Sequence, residues 1–104
     1  MLVKSRFVMG DIIGLKLITG EELLVKLDDE TEKTYVVTKP MTIVPSQTGV
    51  ALMQTMISSK NEKPISIQKL HVLMATADCD DRLVSHYTET TTGIQVVPKG
   101  SIIT

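Results

Sequence analysis

Aromatic side chains are almost absent from this sequence of 104 residues, which contains two tyrosines, one phenylalanine and no tryptophan. A hydrophobic core must therefore be built from Val, Ile, Leu and Met, and the chain supplies six methionines. Aliphatic and β-branched residues pack well on a pleated surface, and Met fills irregular gaps. The composition favours one domain over residues 1–104 with a β-rich core, because this length leaves no room for a second domain.

Cysteine and long apolar runs are also scarce. The single cysteine, Cys79, cannot form an intrachain disulfide, which is typical of a reducing compartment. No apolar run approaches the ~18 residues of a membrane-spanning helix, and Lys4 and Arg6 interrupt the first ten residues. We therefore expect neither a signal peptide nor a membrane span, and a cytoplasmic location.

A strong charge of either sign is missing as well. The chain carries 11 basic and 12 acidic residues, a net charge of −1. Nucleic-acid binding is driven by clustered Lys and Arg, so the overall charge gives no attraction for phosphate. Any nucleic-acid partner would have to be held by a local cluster of cations.

The usual patterns of an enzyme or a metal site do not occur in the sequence. Cys79 is flanked by Asp78, Asp80 and Asp81, which should raise its pKa and disfavour the nucleophilic thiolate. This acidic group lacks the spacing of a calcium loop and is better placed to cap a helix. Since glycine-rich phosphate loops and zinc spacings are also missing, we expect a non-enzymatic protein without a metal or other cofactor.

The clearest local pattern lies between Gly14 and Leu27. Leu15 and Leu17 alternate with polar or small residues, and so do Leu23 and Val25, which is the period of a half-buried strand. Gly20 lies between the two halves and accepts the positive φ of a tight turn. This segment is predicted to be a β-hairpin.

Further along the chain the alternation fails. The segment Thr34 to Val44 predicts a strand that Pro40 interrupts with a bend, a bulge or an edge. Segments 50–58 and 65–77 are apolar on both sides, with Leu70, Val72 and Met74 expected on one side of the second segment. A sheet that is apolar on both faces needs a cover, and self-association is the predicted one.

The chain after residue 77 is predicted to be helical and then irregular. Asp80 to Thr90 has helical spacing, with Leu83 and Tyr87 four residues apart and Gly93 as a stop. Segments 94–97 and 101–104 resemble short strand ends around a turn, or a tail. The predicted order is therefore a β core over about 11–77, followed by a helix and tail over about 78–104.

Two stretches resemble the motifs of the Sm and LSm proteins, including the Hfq branch. Leu17-Ile18-Thr19-Gly20 matches the Leu-x-x-Gly hairpin of the first motif, and Ile67 to Val72 is similar to the second motif, with Lys69 where the Hfq lysine falls. The resemblance implies a mainly β fold, a strongly bent, SH3-like, five-stranded antiparallel barrel. It also implies a homo-oligomeric ring of five to seven subunits that binds RNA.

Within this family, the Thr-Gly-Glu-Glu hairpin and the Thr-Thr-Thr-Gly-Ile ending are similar to small Sm-like proteins of marine phages. This implies a bacterial or phage-infected host cell. Two departures are visible: Leu24 replaces the second glycine of the first motif, which implies a less sharply bent strand, and the acidic segment 28–33 replaces a base-binding Asp-x-x-Met-Asn loop.

Five residues near predicted turns are candidates for binding RNA or, in second place, single-stranded DNA. They supply cations, a stacking ring or hydrogen-bonding groups, and they are Lys33, Tyr35, Gln68, Lys69 and His71. Each has an ordinary alternative, because the lysines also suit solvated turns, Tyr35 suits packing and His71 suits a structural hydrogen bond. His86 is expected to be exposed. The rival hypothesis is a structural or protein-interaction module of a phage that assembles without nucleic acid.

Overall fold

The order of the strands and the helix follows the predicted order closely. The computed structural model describes residues 7–47, 49–58 and 63–92, and the backbone of 102–103. The strands are β1 (Ile12–Leu17), β2 (Glu22–Glu30), β3 (Thr34–Ser46), β4 (Gly49–Gln54), β5 (Ile65–Gln68), β6 (Val72–Thr76) and β7 (Ile102–Ile103). A short 3-10 helix, Lys69–His71, separates β5 from β6, and helix α1 spans Asp81–Thr92. The described part of the protein is therefore mainly β with one α-helix towards its C-terminal end.

The predicted hairpin is confirmed. Strands β1 and β2 are antiparallel, with Ile13 paired with Val25 and Leu15 paired with Leu23. The Gly20 N–H donates to the Leu17 carbonyl at 2.9 Å, and Gly20 has a φ of 104°. A side chain at this φ would be strained, so Gly20 permits the turn that joins the strands.

Strand β3 is the longest and pairs with three other strands. Its first half pairs with β5, its second half pairs with β4, and β2 lies along its other edge. The register with β2 shifts where β3 passes from Thr38 to Met41, and Lys39 has a positive φ of 51°. Pro40 therefore lies at a β-bulge, one of the three outcomes that its sequence position predicted.

The predicted closed, five-stranded barrel is not found, because the described residues form seven strands in an open sheet. The sheet is antiparallel and runs in the order β6-β1-β2-β3-β4-β7, with β5 paired off this path to β3. In the described residues no ladder joins β6 to β5 or to β7. The 3-10 helix separates these strands, since β5 pairs with β3 before it and β6 pairs with β1 after it.

The main core lies on one face of the sheet. It consists of buried aliphatic residues, each worth roughly 1.5–3 kcal/mol when fully removed from water. They come from the first three strands and are Ile13, Leu15, Leu23, Val25, Leu27 and Val37. Val72 and Ala75 from β6, with Ile65 and Ile67 from β5, pack against them, so the curved sheet encloses this core.

Helix α1 covers part of the opposite face. Tyr87, which is 2% exposed, packs with Leu24, Met41 and Leu52 in a second core cluster. The side chain of Leu24 lies in this cluster beneath the helix. Self-association was predicted as the cover for the second face, but α1 supplies part of that cover.

The Tyr87 hydroxyl binds the bulge in β3. It donates to the Lys39 carbonyl at 2.7 Å and lies 3.4 Å from the Thr38 carbonyl. A bulge leaves backbone groups without ladder partners, and a buried carbonyl without a partner is costly. Tyr87 therefore satisfies a carbonyl at the bulge while its ring fills the second core cluster.

The start of α1 confirms the interpretation of Asp80 as a helix cap. The Asp80 carboxylate accepts hydrogen bonds from the Arg82 N–H at 2.9 Å and the Leu83 N–H at 3.3 Å. The helix spans Asp81–Thr92, close to the predicted 80–90, and Leu83 and Tyr87 lie on its buried face as their spacing indicated. Capping groups of this kind are worth about 0.5–2 kcal/mol.

The predicted sides of segment 65–77 are wrong. Leu70, Val72 and Met74 were expected on one side, but Val72 packs against the core while Leu70 and Met74 are exposed. Leu70 lies in the 3-10 helix, and the register between β1 and β6 shifts at Lys16 and Leu17 opposite Leu73. Each irregularity breaks the period of two on which the prediction depended.

The C-terminal segment is described only in part. Ile102 and Ile103 pair with Ala51 and Val50 of β4, which agrees with a predicted strand end at 101–104. The predicted strand end at 94–97 lies outside the described residues. Within the described ranges, none of the helices has the length and hydrophobicity of a membrane span.

The contact between Tyr87 and the bulge predicts the effect of Tyr87→Phe. Removing the hydroxyl leaves the buried Lys39 carbonyl without this donor, so the free energy of unfolding should fall by about 1–2 kcal/mol in urea titrations. Tyr35→Phe removes the hydroxyl from a half-buried tyrosine and should lower the free energy of unfolding by less than Tyr87→Phe does. Equal losses in the two variants would show that the hydroxyl does not support the bulge.

Candidate nucleic-acid interface

The ladder between β3 and β5 brings four of the five candidate residues together. Tyr35 is paired with Ile67, and Thr34 is paired with Gln68. The Lys69 N–H donates to the Lys33 carbonyl at 2.8 Å, which extends the pairing one step beyond β5. Lys33, Tyr35, Gln68 and Lys69 therefore lie at one end of the β3–β5 ladder, although they come from segments more than 30 residues apart.

Hydrogen bonds within the turn from Thr31 to Thr34 fix the backbone at Lys33. The Thr31 N–H donates to the Thr34 carbonyl at 2.9 Å, and the Thr31 hydroxyl accepts from the Thr34 N–H at 3.0 Å. The Lys33 N–H also donates to the Thr31 hydroxyl at 3.3 Å. This turn leaves the side chain of Lys33 exposed to solvent.

Lys69 is held by two groups and is only partly exposed. Its Nζ lies 2.6 Å from Oε2 of Glu30, and the two side chains are 29% and 13% exposed. The same Nζ lies 5.0 Å from the centre of the Tyr35 ring, within the range of a cation–π interaction. The charge of Lys69 is therefore paired within the chain.

Tyr35 contacts protein on more than one side. Its ring centre lies 6.3 Å from that of Phe7 at an interplanar angle of 57°, and it packs against the main core. It remains half-buried. A base that stacks on Tyr35 would therefore reach the part of the ring left open by Phe7 and Lys69.

His71, the fifth candidate, lies beyond the β3–β5 ladder. It is the last residue of the 3-10 helix, and its carbonyl accepts a hydrogen bond from the Ile18 N–H at 2.9 Å. Its side chain is exposed. The predicted structural role for an imidazole on an apolar strand therefore does not hold, because the residue is neither in a strand nor buried.

Acidic side chains surround the cluster, which the sequence indicated. Asp28, Asp29 and Glu32 are exposed on β2 and on the turn before β3. Phosphate binding depends on net local positive charge, and Lys33 is the exposed cation among the four clustered residues. In a single chain, this cluster therefore offers only weak electrostatic attraction for nucleic acid.

Cys79 is partly buried and poorly suited to nucleophilic chemistry. Its Sγ lies 3.6 Å from the Thr76 carbonyl. Burial raises the pKa of the thiol. A backbone hydrogen bond with Gly14 lowers this pKa, and the charge of Asp78 raises it. The direction agrees with the sequence-based expectation, although burial is the larger cause. In the described residues no group of three or more His, Cys, Asp or Glu side chains is placed to hold a metal ion.

Two buried polar atoms were missed by sequence reasoning. His86 was expected to be exposed, but its side chain is partly buried, and its Nε2 makes no hydrogen bond within the described part of the chain. The hydroxyl oxygen of Ser46 is buried in the same way. The sequence gave no signal for the burial of His86, because it is a single polar side chain in an amphipathic helix.

An open groove lies beside the edge strand β6. Its volume is about 340 Å³, and its lining includes apolar residues with one lysine and one glutamate. The lining residues are Gly14, Leu15, Lys16, Glu22, Met74, Ala75 and Thr76. The sequence gave no signal for this groove, because it depends on the pairing of β1 with β6.

Exposed apolar side chains follow the same edge. Leu70 is 83% exposed, Leu73 is 61% exposed and Met74 is 69% exposed, and we call these three residues the β6 surface. A second exposed apolar group, Met53, Met56 and Ile57, lies at and beyond the end of β4, and we call it the β4 surface. Groups of exposed apolar residues are typical of interaction sites when they form a continuous patch.

No protein-family model matches the chain, and no curated protein matches it.

The burial of Cys79 predicts a pH dependence of its alkylation. Burial raises the pKa of the thiol in the folded protein. The rate of Cys79 alkylation by iodoacetamide should therefore rise with pH, and the pH at the midpoint of this rise should be higher in the folded protein than in urea-unfolded protein. By linkage, the neutral thiol stabilises the fold below the unfolded pKa, and this contribution is lost as pH rises through the folded pKa. A folded midpoint below the unfolded one would contradict the assignment.

Proposed function

We propose that the protein is a non-enzymatic, Sm-like subunit that assembles into a homo-oligomeric ring and binds single-stranded nucleic acid, RNA in the first place. The observation that carries the proposal is the clustering of Lys33, Tyr35, Gln68 and Lys69 at one end of the β3–β5 ladder. Cations and a ring at one place are the groups that contact phosphates and bases.

The connection between β5 and β6 supports the Sm-like part of the proposal. Residues 67–72, which resemble the second Sm motif, leave β5 through the 3-10 helix and enter β6. In the family this motif also joins the last two strands. The first motif supports the same assignment, because Leu17 to Gly20 forms the hairpin turn between β1 and β2.

The two apolar surfaces support self-association. A ring requires a head-to-tail contact between two different surfaces of the same chain, and the β6 surface and the β4 surface are two such candidates. The edge of β6 away from β1 also carries backbone groups that can pair with a strand of another copy. Repetition of a weak site around a ring would raise the affinity for a long strand by avidity.

A specific observation favours the rival function, a phage structural or protein-interaction module that assembles without nucleic acid. Lys69 is paired with Glu30, and acidic side chains lie nearby. Assembly through the apolar surfaces needs none of these polar residues. Binding measurements on the assembled protein distinguish the two functions.

Self-association predicts that Leu73→Lys disrupts the oligomer. Light scattering on the unmodified protein should give a multiple of the 11.4 kDa chain mass, and the variant should shift towards one chain because a charge cannot be buried in an apolar contact without large cost. Ser85→Lys places the same charge on an exposed position of α1 and should leave the mass unchanged. A monomeric unmodified protein would contradict the proposed ring.

Nucleic-acid binding predicts a loss of affinity in Lys33→Ala. In titrations of labelled oligo-U, oligo-A and single-stranded DNA, affinity should fall as the salt concentration rises. The slope of the logarithm of affinity against the logarithm of salt concentration should decrease in magnitude by about one per binding site when a phosphate contact is removed. Lys63→Ala removes an exposed lysine near the opposite end of β5 and serves as the control. Salt-independent or absent binding by the assembled protein would favour the rival function.

A further inference from the structure

We infer that Glu30 lowers the affinity of the nucleic-acid interface by occupying the position at Lys69 that a phosphate would take. The inference rests on the proposed function and adds a residue that determines affinity. Oε2 of Glu30 lies 2.6 Å from Nζ of Lys69, the separation of a charge-assisted hydrogen bond. A phosphate oxygen that binds the same ammonium group must therefore displace this carboxylate or share its donor.

The backbone places Glu30 at this position. Glu30 is paired with Tyr35 across the β2–β3 ladder, so both side chains lie on the same face of the sheet. The register shifts between Leu27 and Asp29, and this bulge makes Glu30, not Asp29, the partner of Tyr35. Lys69 extends over the Tyr35 ring to reach the carboxylate.

Partial burial strengthens the ion pair between Glu30 and Lys69. The Glu30 side chain is 13% exposed, and the Lys69 side chain is 29% exposed. Ion pairs at fully exposed positions contribute little, whereas hydrogen bonds between charged groups that are shielded from water are stronger. Opening this pair for a ligand therefore has a cost that the exposed acids of the same turn do not impose.

The matched substitutions are Glu30→Gln and Glu32→Gln. Both remove one negative charge and keep the size of the side chain, but Glu32 is exposed in the turn before β3, and its carboxylate is not the partner of Lys69. With labelled oligo-U as the probe, Glu30→Gln should tighten binding by about 3- to 10-fold, the range of one ordinary net hydrogen bond, because the neutral Gln can still accept a hydrogen bond from Lys69. Glu32→Gln should change it by less than about 2-fold, since long-range effects of exposed charges are screened.

The same two substitutions in a Lys69→Ala background separate the ion pair from general electrostatics. Without Lys69, Glu30→Gln should have no larger effect than Glu32→Gln, because the competition for the ammonium group is gone. A gain from Glu30→Gln that persists without Lys69 would overturn the inference. So would equal gains from the two substitutions when Lys69 is present.

A measurement without nucleic acid tests the ion pair itself. Acetic anhydride transfers an acetyl group to Nζ of a lysine and releases acetate. Acetylation of Lys69 by this reagent, followed by mass spectrometry of its peptide, should be faster in Glu30→Gln than in the unmodified protein or in Glu32→Gln. Unchanged acetylation would overturn the inference even if RNA binds. Absence of oligo-U binding by all variants would overturn the proposed function, and the inference with it.

Discussion

The bulge at Lys39 and Pro40 in β3 is the constraint on which the arrangement of the sheet depends. Before the bulge, β3 pairs with β5, and after it β3 pairs with β4, while β2 follows along the other edge. The left-handed backbone at Lys39 would not persist without support, and Tyr87 of α1 supplies it through a hydrogen bond of 2.7 Å to the Lys39 carbonyl. The helix therefore covers a core and also stabilises the bulge.

The candidate interface follows from this arrangement and from a second bulge. Pairing of β3 with β5 brings Lys69 to Tyr35, and the shift in β2 after Leu27 brings Glu30 to the same face. The cation, the ring and the carboxylate thus come together from β2, β3 and the 3-10 helix that follows β5. The proposed binding of nucleic acid and the proposed competition by Glu30 both depend on the backbone register, because the register sets the positions of Lys69 and of Glu30.

Local sequence signals predicted the features that depend on a few neighbouring residues. The turn at Gly20, the bulge at Pro40 and the cap at Asp80 each follow from the conformational preferences or hydrogen-bonding groups of one residue. The pairing of Glu30 with Lys69 could not be predicted, because it joins residues 39 positions apart and depends on a register shift that leaves no compositional trace. The exposed sides of β6 and the open sheet were missed for the same reason, since the 3-10 helix and a bulge changed the period of two.

The pairing of β3 with β2, β4 and β5 is tested most directly by cross-strand nuclear Overhauser effects in the protein in solution. Contacts of Tyr35 with both Glu30 and Ile67, together with contacts of Ile43 with both Glu22 and Leu52, are predicted within the same molecule. Contacts of Ile43 with Leu52 but none of Tyr35 with Ile67 would contradict the account, because Lys69 would then have no structural reason to lie beside Tyr35.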